Sequence, residues 1–392
     1  MNKKLGYYIV NGVEFDSKIE ACIFANKTNQ SVNWYFNNDV FDKYPWHIEP
    51  DETLDQLYDL RARQLREEYD YIIVSYSGGA DSHNLLMSFV RQGLHVDEIL
   101  VNTMSKGNSN FMPIHETNKT SHNAAASEHV LQTLPRLQEI HDKYPKIKIT
   151  VVDLTDYLFE SFLNVGDASW VTKKREGLNP LNATRYNYLY FSDVRKRFDK
   201  DKKIALVLGV EKPRTVIHNQ NNSFYIRFVD RSANVASVND HIKEYPNATV
   251  EYFYWSPDSV RMLCKQAHVI KKWLEAFPVN QPMWNNKTMT KETFRLIHER
   301  ALRTILYSTW DNNWYQADKS TRDWYSEFDT WFISGQAGTT QHAIWLEGIK
   351  YVEENAAKFV SNKNGIADGL EVFSHAYLVG TMKNLSLGTQ PS

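Results

Sequence analysis

Cysteine is nearly absent from this chain: its 392 residues include only Cys22 and Cys264. Neither has a CxxC partner, so a four-thiolate zinc or iron–sulfur site within one chain is excluded. The pair also argues against a disulfide scaffold and fits a reducing, cytoplasmic setting. Each reads as a small, buried, apolar residue. Long apolar runs are missing as well. No stretch approaches the roughly eighteen residues of a membrane span, which predicts no membrane partner. The opening Met1-Asn2-Lys3-Lys4-Leu5-Gly6 lacks the apolar stretch of a signal peptide. A dominant charge is lacking too. The net charge is −2, so the whole protein is no general nucleic-acid binder, and nucleic acid remains only as a substrate. Internal repeats and low-complexity linkers are absent. So is the GxxxxGK[ST] pattern, which excludes a Walker-type ATPase.

Histidine patterns exclude the common zinc sites. His122 and His129 are seven residues apart in a predicted helix. That spacing is a rise of about 10.5 Å, too far for both to reach one ion. His298-Glu299 begins like a zincin motif, but Leu302 stands where the second histidine belongs.

What is present is ordinary in bulk: 42% hydrophobic and 23% charged residues, enough for two or three domains. Aromatics are abundant, with 11 Trp and 22 Tyr. The group Trp310, Trp314, Tyr315, Trp324, Tyr325, Trp331 and Trp345 suits core packing or an oligomer interface better than a base-stacking surface. A homo-oligomer therefore stays open. Charge is uneven: between Thr172 and Arg231, fourteen basic residues face six acidic ones, a local +8. That segment is either a solvated helix around Asp193 to Lys203 or an anion-binding face. Within it, Arg185, Arg195 and Arg227 are secondary anion candidates.

The strongest local signal is Ser77-Gly78-Gly79-Ala80-Asp81-Ser82. It follows Tyr71-Ile72-Ile73-Val74, which reads as a buried strand. It precedes a helix with Leu85, Leu86, Phe89 and Val90 on one face. A Gly-Gly turn lets the backbone approach a ligand, and the helix start offers N–H groups and a positive dipole end. Phosphate is the usual occupant of such a nest. The plainer alternative is a strand-to-helix turn with Asp81 or Ser82 as an N-cap.

Around this motif the pattern predicts an α/β fold, a parallel sheet with helices on both faces. Further strands read at Asp97–Asn102, Ile147–Val152 and Ile204–Gly209, and a long helical stretch at roughly His115 to His141. Ligands bind such sheets at the carboxyl ends of the strands. The 77–82 motif, Asn102-Thr103-Met104 and Gly209-Val210-Glu211-Lys212-Pro213-Arg214 all fall there. Thr103 and Gly209 are therefore candidate nucleotide contacts. Lys212 and Arg214 are candidate anion-binding and catalytic cations, Arg214 with a bidentate fork.

Elsewhere, Tyr7–Val10, Asn11-Gly12 and Val13–Phe15 read as a type I′ hairpin, with Asp16 or Ser17 capping a short helix. Leu54, Leu57, Tyr58 and Leu65 mark the helix that feeds the core. Ser223–Asp230 and Thr249–Trp255 alternate like half-exposed strands. Ser256-Pro257-Asp258 opens a helix through Val260, Leu263, Ala267, Ile270 and Leu274.

The SGGADS motif resembles the PP-loop, SGGxDS, of the ATP pyrophosphatase (adenine nucleotide alpha hydrolase-like) superfamily. The wider layout looks like the phosphoadenosine phosphosulfate (PAPS) reductase-like proteins of tailed bacteriophages. The likeness runs over residues 5 to 275. It is carried by Leu57 to Arg66, the strand into SGGADS, Leu208 to Arg214, Phe253 to Asp258 and Lys265-Gln266-Ala267-His268. The resemblance implies a host-cytoplasmic enzyme that binds ATP through Ser77, Gly78, Gly79 and Ser82, with Asp81 acting near the phosphates and as a Mg²⁺ contact. It implies cleavage of ATP to AMP and pyrophosphate, with adenylation of an unidentified second substrate for nucleophilic displacement. It departs from true PAPS reductases, since no Glu-Cys-Gly occurs and the last cysteine is Cys264. The residues that other branches use are also absent: a glutaminase cysteine, paired thiouridylase cysteines and a four-cysteine zinc site. Two alternatives follow, a PAPS-like nucleotide-binding protein in sulfur chemistry and a nucleotide-binding protein without turnover. The expected division is 1–65 as an N-terminal α/β appendage, 66–277 as the PP-loop nucleotide-binding domain, and 278–392 as an aromatic-rich, mostly helical C-terminal region.

Overall fold

The apolar strand before the glycine pair is the middle strand of the main sheet. The computed structural model describes residues 6–103, 128–153, 166, 201–210, 212–218, 220–230, 247–278, 281–284, 299–316, 338–356, 360–361, 368–369 and 372–383. Five parallel strands form the main sheet: β4 (Tyr71–Ser75), β5 (Glu98–Thr103), β6 (Lys148–Asp153), β7 (Ile204–Leu208) and β10 (Ala248–Tyr252). Their order is β10-β7-β4-β5-β6. Ile72, Ile73 and Val74 are fully buried, as the continuous apolar run of a central parallel strand requires. The chain builds outward from β4 through β5 to β6, then returns to the other side of β4 with β7 and β10. The fold is thus α/β, with helices flanking the sheet, and its strand order is compatible with a Rossmann-like fold.

The helices form for local reasons. α1 (Lys18–Thr28) is capped by Ser17, whose hydroxyl accepts from the Glu20 N–H. The short α2 covers Asn38–Phe41. α3 (Leu54–Glu68) opens on a capping box between Thr53 and Gln56 and buries Leu57, Tyr58, Ala62 and Leu65. α4 (Ala80–Val90) is buried nearly all round rather than along one stripe: Ser82, His83, Asn84 and Ser88 are as inaccessible as Leu85, Leu86 and Phe89. A π-turn spans Glu128–Thr133 and runs into α5 (Leu134–Lys143). α6 (Val260–Ala276) follows a short 3₁₀ turn capped by Ser256. α7 (Gln281–Trp284), α8 (Arg300–Leu306) and α9 (Thr340–Ala356) complete the described helices.

At the N-terminal end, β1 (Tyr7–Val10), β2 (Val13–Phe15) and β3 (Asn33–Tyr35) form an antiparallel sheet. Asn11 (φ 48°) and Gly12 (φ 78°) both take the left-handed conformation that a type I′ turn needs. The expected boundary at residue 65 falls inside α3. The small sheet shares the main apolar core through Phe36, which packs on Phe228 and Trp255.

Two expectations change. Thr249–Trp255 was expected half-exposed, yet β10 lies in the parallel sheet and is mostly buried. Its Glu251 carboxylate turns inward to Arg61 (2.8 Å) and Tyr69 (2.6 Å). The C-terminal region, expected to be mostly helical, carries α7, α8 and α9 and short strands beside them. It adds β11 (Val360–Ser361), β12 (Asp368–Gly369) and β13 (Tyr377–Thr381), and β13 pairs antiparallel with β9 (Ser223–Arg227), itself paired with β8 (Arg214–His218). Arg214 therefore opens a strand rather than closing a turn. Residues 115–127 of the long helix, most of the basic segment with Arg185 and Arg195, and Trp324, Tyr325 and Trp331 lie outside the described residues.

Asp230 ties the two ends of the chain together. It is fully buried, pairs with Lys18 at 2.8 Å, accepts from the Tyr8 hydroxyl at 2.9 Å and from the Val372 N–H at 3.1 Å. Replacing it by alanine strands a buried ammonium. Asp230→Ala should lower unfolding stability by about 3–5 kcal/mol in a urea titration, and Asp230→Asn by less.

Candidate nucleotide site

The strand order places a topological switch between β4 and β7, where an open α/β sheet leaves a crevice at the strand ends. The 77–82 loop leaves β4 on one side of that crevice, and Gly209 and Lys212 follow β7 on the other. Gly78 has φ +70°, and a side chain there would meet the Thr133 backbone at 2.8 Å. Gly209 presses on the start of α4, where an added Cβ would lie 3.1 Å from Ser82 backbone atoms. Close backbone approach leaves no room for a side chain at Gly78 and little at Gly209.

The N-cap of α4 is Gly79, with no side-chain cap. Asp81 and Ser82 are therefore not the cap, and their side chains have other partners. The Ser82 hydroxyl donates to the Gly79 carbonyl (3.1 Å) and accepts from the Ser77 N–H (3.2 Å). The Ser77 hydroxyl lies 3.3 Å from it and accepts from the Gly79 N–H at 3.3 Å. The first N–H groups of α4 have no intrahelical acceptor, so the loop presents donors and the positive dipole end together.

Asp81 faces two groups from far along the chain. Lys212 reaches both carboxylate oxygens at 2.8 Å, and the Tyr307 hydroxyl donates to Oδ1 at 2.5 Å. Burial, and then the Asp81 charge, push the Tyr307 phenol well above its ordinary range, so it stays protonated and donates. The Tyr254 hydroxyl, just past β10, donates to the Asp81 carbonyl at 2.9 Å and accepts from Asn84 at 3.0 Å. Three strand ends, β4, β7 and β10, thus meet at Asp81.

The back of the loop is held by the π-turn and α5. The Ser77 carbonyl accepts from Thr133 Oγ1 (2.7 Å) and Gln132 Nε2 (3.1 Å). The Gly78 carbonyl accepts from Arg136 Nη1 at 2.6 Å. Arg136 is 4% exposed, its guanidinium 4.7 Å from the ring centres of both Trp310 and Trp314, with Nη2 donating to the Tyr315 carbonyl at 3.0 Å. His83 completes this wall, 3.0 Å from the Tyr76 hydroxyl and edge-on to Trp314.

Of the predicted site residues, Ser77, Gly78, Gly79, Asp81, Ser82, Gly209 and Lys212 come together. Thr103 ends β5, in register with Asp153 of β6. Arg214 belongs to the antiparallel sheet, opposite Arg227. Sequence reasoning missed Gln132, Thr133, Arg136, Tyr254 and Tyr307. The only advance signals were the tryptophan cluster, whose Trp310 and Trp314 pack here in the wall, and the Phe253 to Asp258 segment. Among the described residues no group of three or more His, Cys, Asp or Glu could hold a metal. Cys22 and Cys264 are fully buried, and burial pushes both thiols up to about 12. No helix among the described residues is long and apolar enough to cross a membrane. No protein-family model matches the chain, and no curated protein matches it.

The wall has a pH signature. Burial, and then the Arg136 charge, lower His83 from 6.5 to about 4. Between those values the unfolded chain binds a proton that the folded one does not, so stability rises with pH across that window. His83→Gln should remove this slope. The wild-type minus variant difference in unfolding free energy should grow by roughly 3 kcal/mol from pH 4 to 7, measured by urea titration at each pH.

Proposed function

We propose that the chain is a PP-loop enzyme that binds ATP at residues 77–82 and cleaves it between the α- and β-phosphates, adenylating a second substrate. The observation that carries this reading is the glycine turn at the sheet's switch point, with a helix N-terminus behind it and Lys212 across the crevice. Backbone donors and hydroxyls of Ser77, Gly78, Gly79 and Ser82 fit a pyrophosphate group. Lys212 is a flexible point charge that can leave Asp81 for a phosphate oxygen, where a well-formed charge-assisted bond contributes roughly 1.5–3 kcal/mol. Thr103 at the β5 end, Gly209 and Arg214 remain its candidate nucleotide and anion contacts.

In this reading an oxygen of the second substrate attacks the α-phosphorus. The bond from that phosphorus to the α–β bridging oxygen breaks, and pyrophosphate leaves with the electron pair. A nitrogen or sulfur nucleophile then displaces AMP. Asp81 is the residue that would contact Mg²⁺ arriving with ATP, since Mg²⁺ commonly takes one or two carboxylates alongside substrate phosphates. A reductase using a Cys–sulfite intermediate is disfavoured, because both thiols are buried and held protonated.

Calorimetry with ATP and pyrophosphate release in the presence of cell extract test the proposal. Asp81→Ala and Gly79→Val should each weaken ATP binding at least about tenfold with the circular dichroism unchanged. Unchanged affinity in both variants would sink the nucleotide reading. Tight binding without any pyrophosphate would make the protein a nucleotide binder. The Cys22→Ser/Cys264→Ser double variant should keep the wild-type turnover, and its loss in a folded variant would restore the sulfur alternative.

A further inference from the structure

We infer that Arg136, with Gln132 and Thr133, is a positioning device that aims the loop's amides at a phosphate-type anion. This rests on the nucleotide reading above and adds to it a set of residues that never touch the ligand. The chain has no cis peptides among the described residues, so each N–H points opposite the carbonyl of the same peptide unit. The Ser77 carbonyl is pulled back by Thr133 and Gln132, which turns the Gly78 N–H forward. The Gly78 carbonyl is pulled back by Arg136, which turns the Gly79 N–H forward, where it rests on the Ser77 hydroxyl at 3.3 Å, a long bond that an anion can displace. Two successive amides facing one way make an anion nest.

The device reaches into the C-terminal region. The two indoles hold the guanidinium plane, and Trp310 and Trp314 lie only a few residues beyond Tyr307, which holds Asp81. The Tyr58 hydroxyl in turn pins the Leu306 carbonyl at 2.9 Å. Arg136 makes no ion pair among the described residues, and its Nε is buried without a hydrogen-bond partner. Its hydrogen-bond and ring partners are carbonyl oxygens and aromatic faces, while Glu139 and Asp311 act on its charge only at longer range. A buried cation of this kind behind the loop favours an anion in front of it.

The test uses inorganic pyrophosphate and ATP in calorimetry, with amide hydrogen exchange across Ser77–Ser82. Arg136→Ala should lose about ten- to hundredfold in affinity for both ligands and gain exchange in the loop. Arg136→Lys should recover part of it, keeping charge but not the two-carbonyl fork. Added free guanidinium should restore binding to Arg136→Ala, which a merely structural lesion would not allow. If Arg136→Ala does not fold, Thr133→Val, which removes one carbonyl tie at nearly constant volume, should still weaken pyrophosphate and raise loop exchange. Wild-type binding with unchanged affinity in Arg136→Ala, or in Thr133→Val if that is the variant that folds, overturns this inference alone. Failure of the wild type to bind either ligand overturns the nucleotide reading and this inference with it.

Discussion

The direction of two peptide units, 77–78 and 78–79, is the constraint on which the candidate site depends. A left-handed glycine allows that direction but does not impose it. It is imposed by Thr133, Gln132 and Arg136 behind the loop, and Thr133 is placed by the π-turn that ends at it. An extra residue in one helical turn is a usual way to re-aim side chains at functional positions. The Thr133 hydroxyl also contacts the Glu128 carbonyl at 3.0 Å, five residues earlier, which matches the wider turn.

Burial of polar groups follows the same logic throughout. Arg61, Glu98, Glu251 and Asp230 are charged groups with 8% exposure or less, and each has specific partners. Glu98 at the start of β5 accepts from Tyr71 and Thr150 and pairs with Lys148. Such pairs add little net stability over apolar packing, but breaking one strands a charge. They therefore fix which element lies beside which: β10 against α3 through Arg61, and the N-terminal sheet against the C-terminal segment through Asp230.

The Asp81–Lys212–Tyr307 cluster joins three distant segments of the chain at one carboxylate. Lys212 and Tyr307 are 16% or less exposed, and the Lys212 ammonium also sits 5.6 Å from the Tyr307 ring centre. The cluster stores a cation beside the glycine loop in a form that an incoming anion can compete for. In the proposed reading, the Lys212 ammonium would pass from the Asp81 carboxylate to a phosphate oxygen without bringing a new group from solvent.

The parallel strands, the strand–loop–helix around Gly78 and the convergence of Gly209 and Lys212 upon it were legible in the sequence. They depend on local apolar runs and on glycine chemistry, which act over a few residues. The hairpin at Asn11-Gly12 and the caps at Ser17 and Ser256 were legible for the same reason. Tertiary structure alone decided the rest. β10 became a core strand because Arg61 pairs with the Glu251 charge and the Tyr69 hydroxyl donates to it from another element. β13 exists because β9, some 150 residues earlier, offers it an edge. Arg136, Tyr254 and Tyr307 reach the loop across 58, 173 and 226 residues of chain, through tertiary contacts alone. Short-range pattern can name a loop, but the partners that orient its peptide bonds are set by packing between segments that have no neighbourhood in the chain.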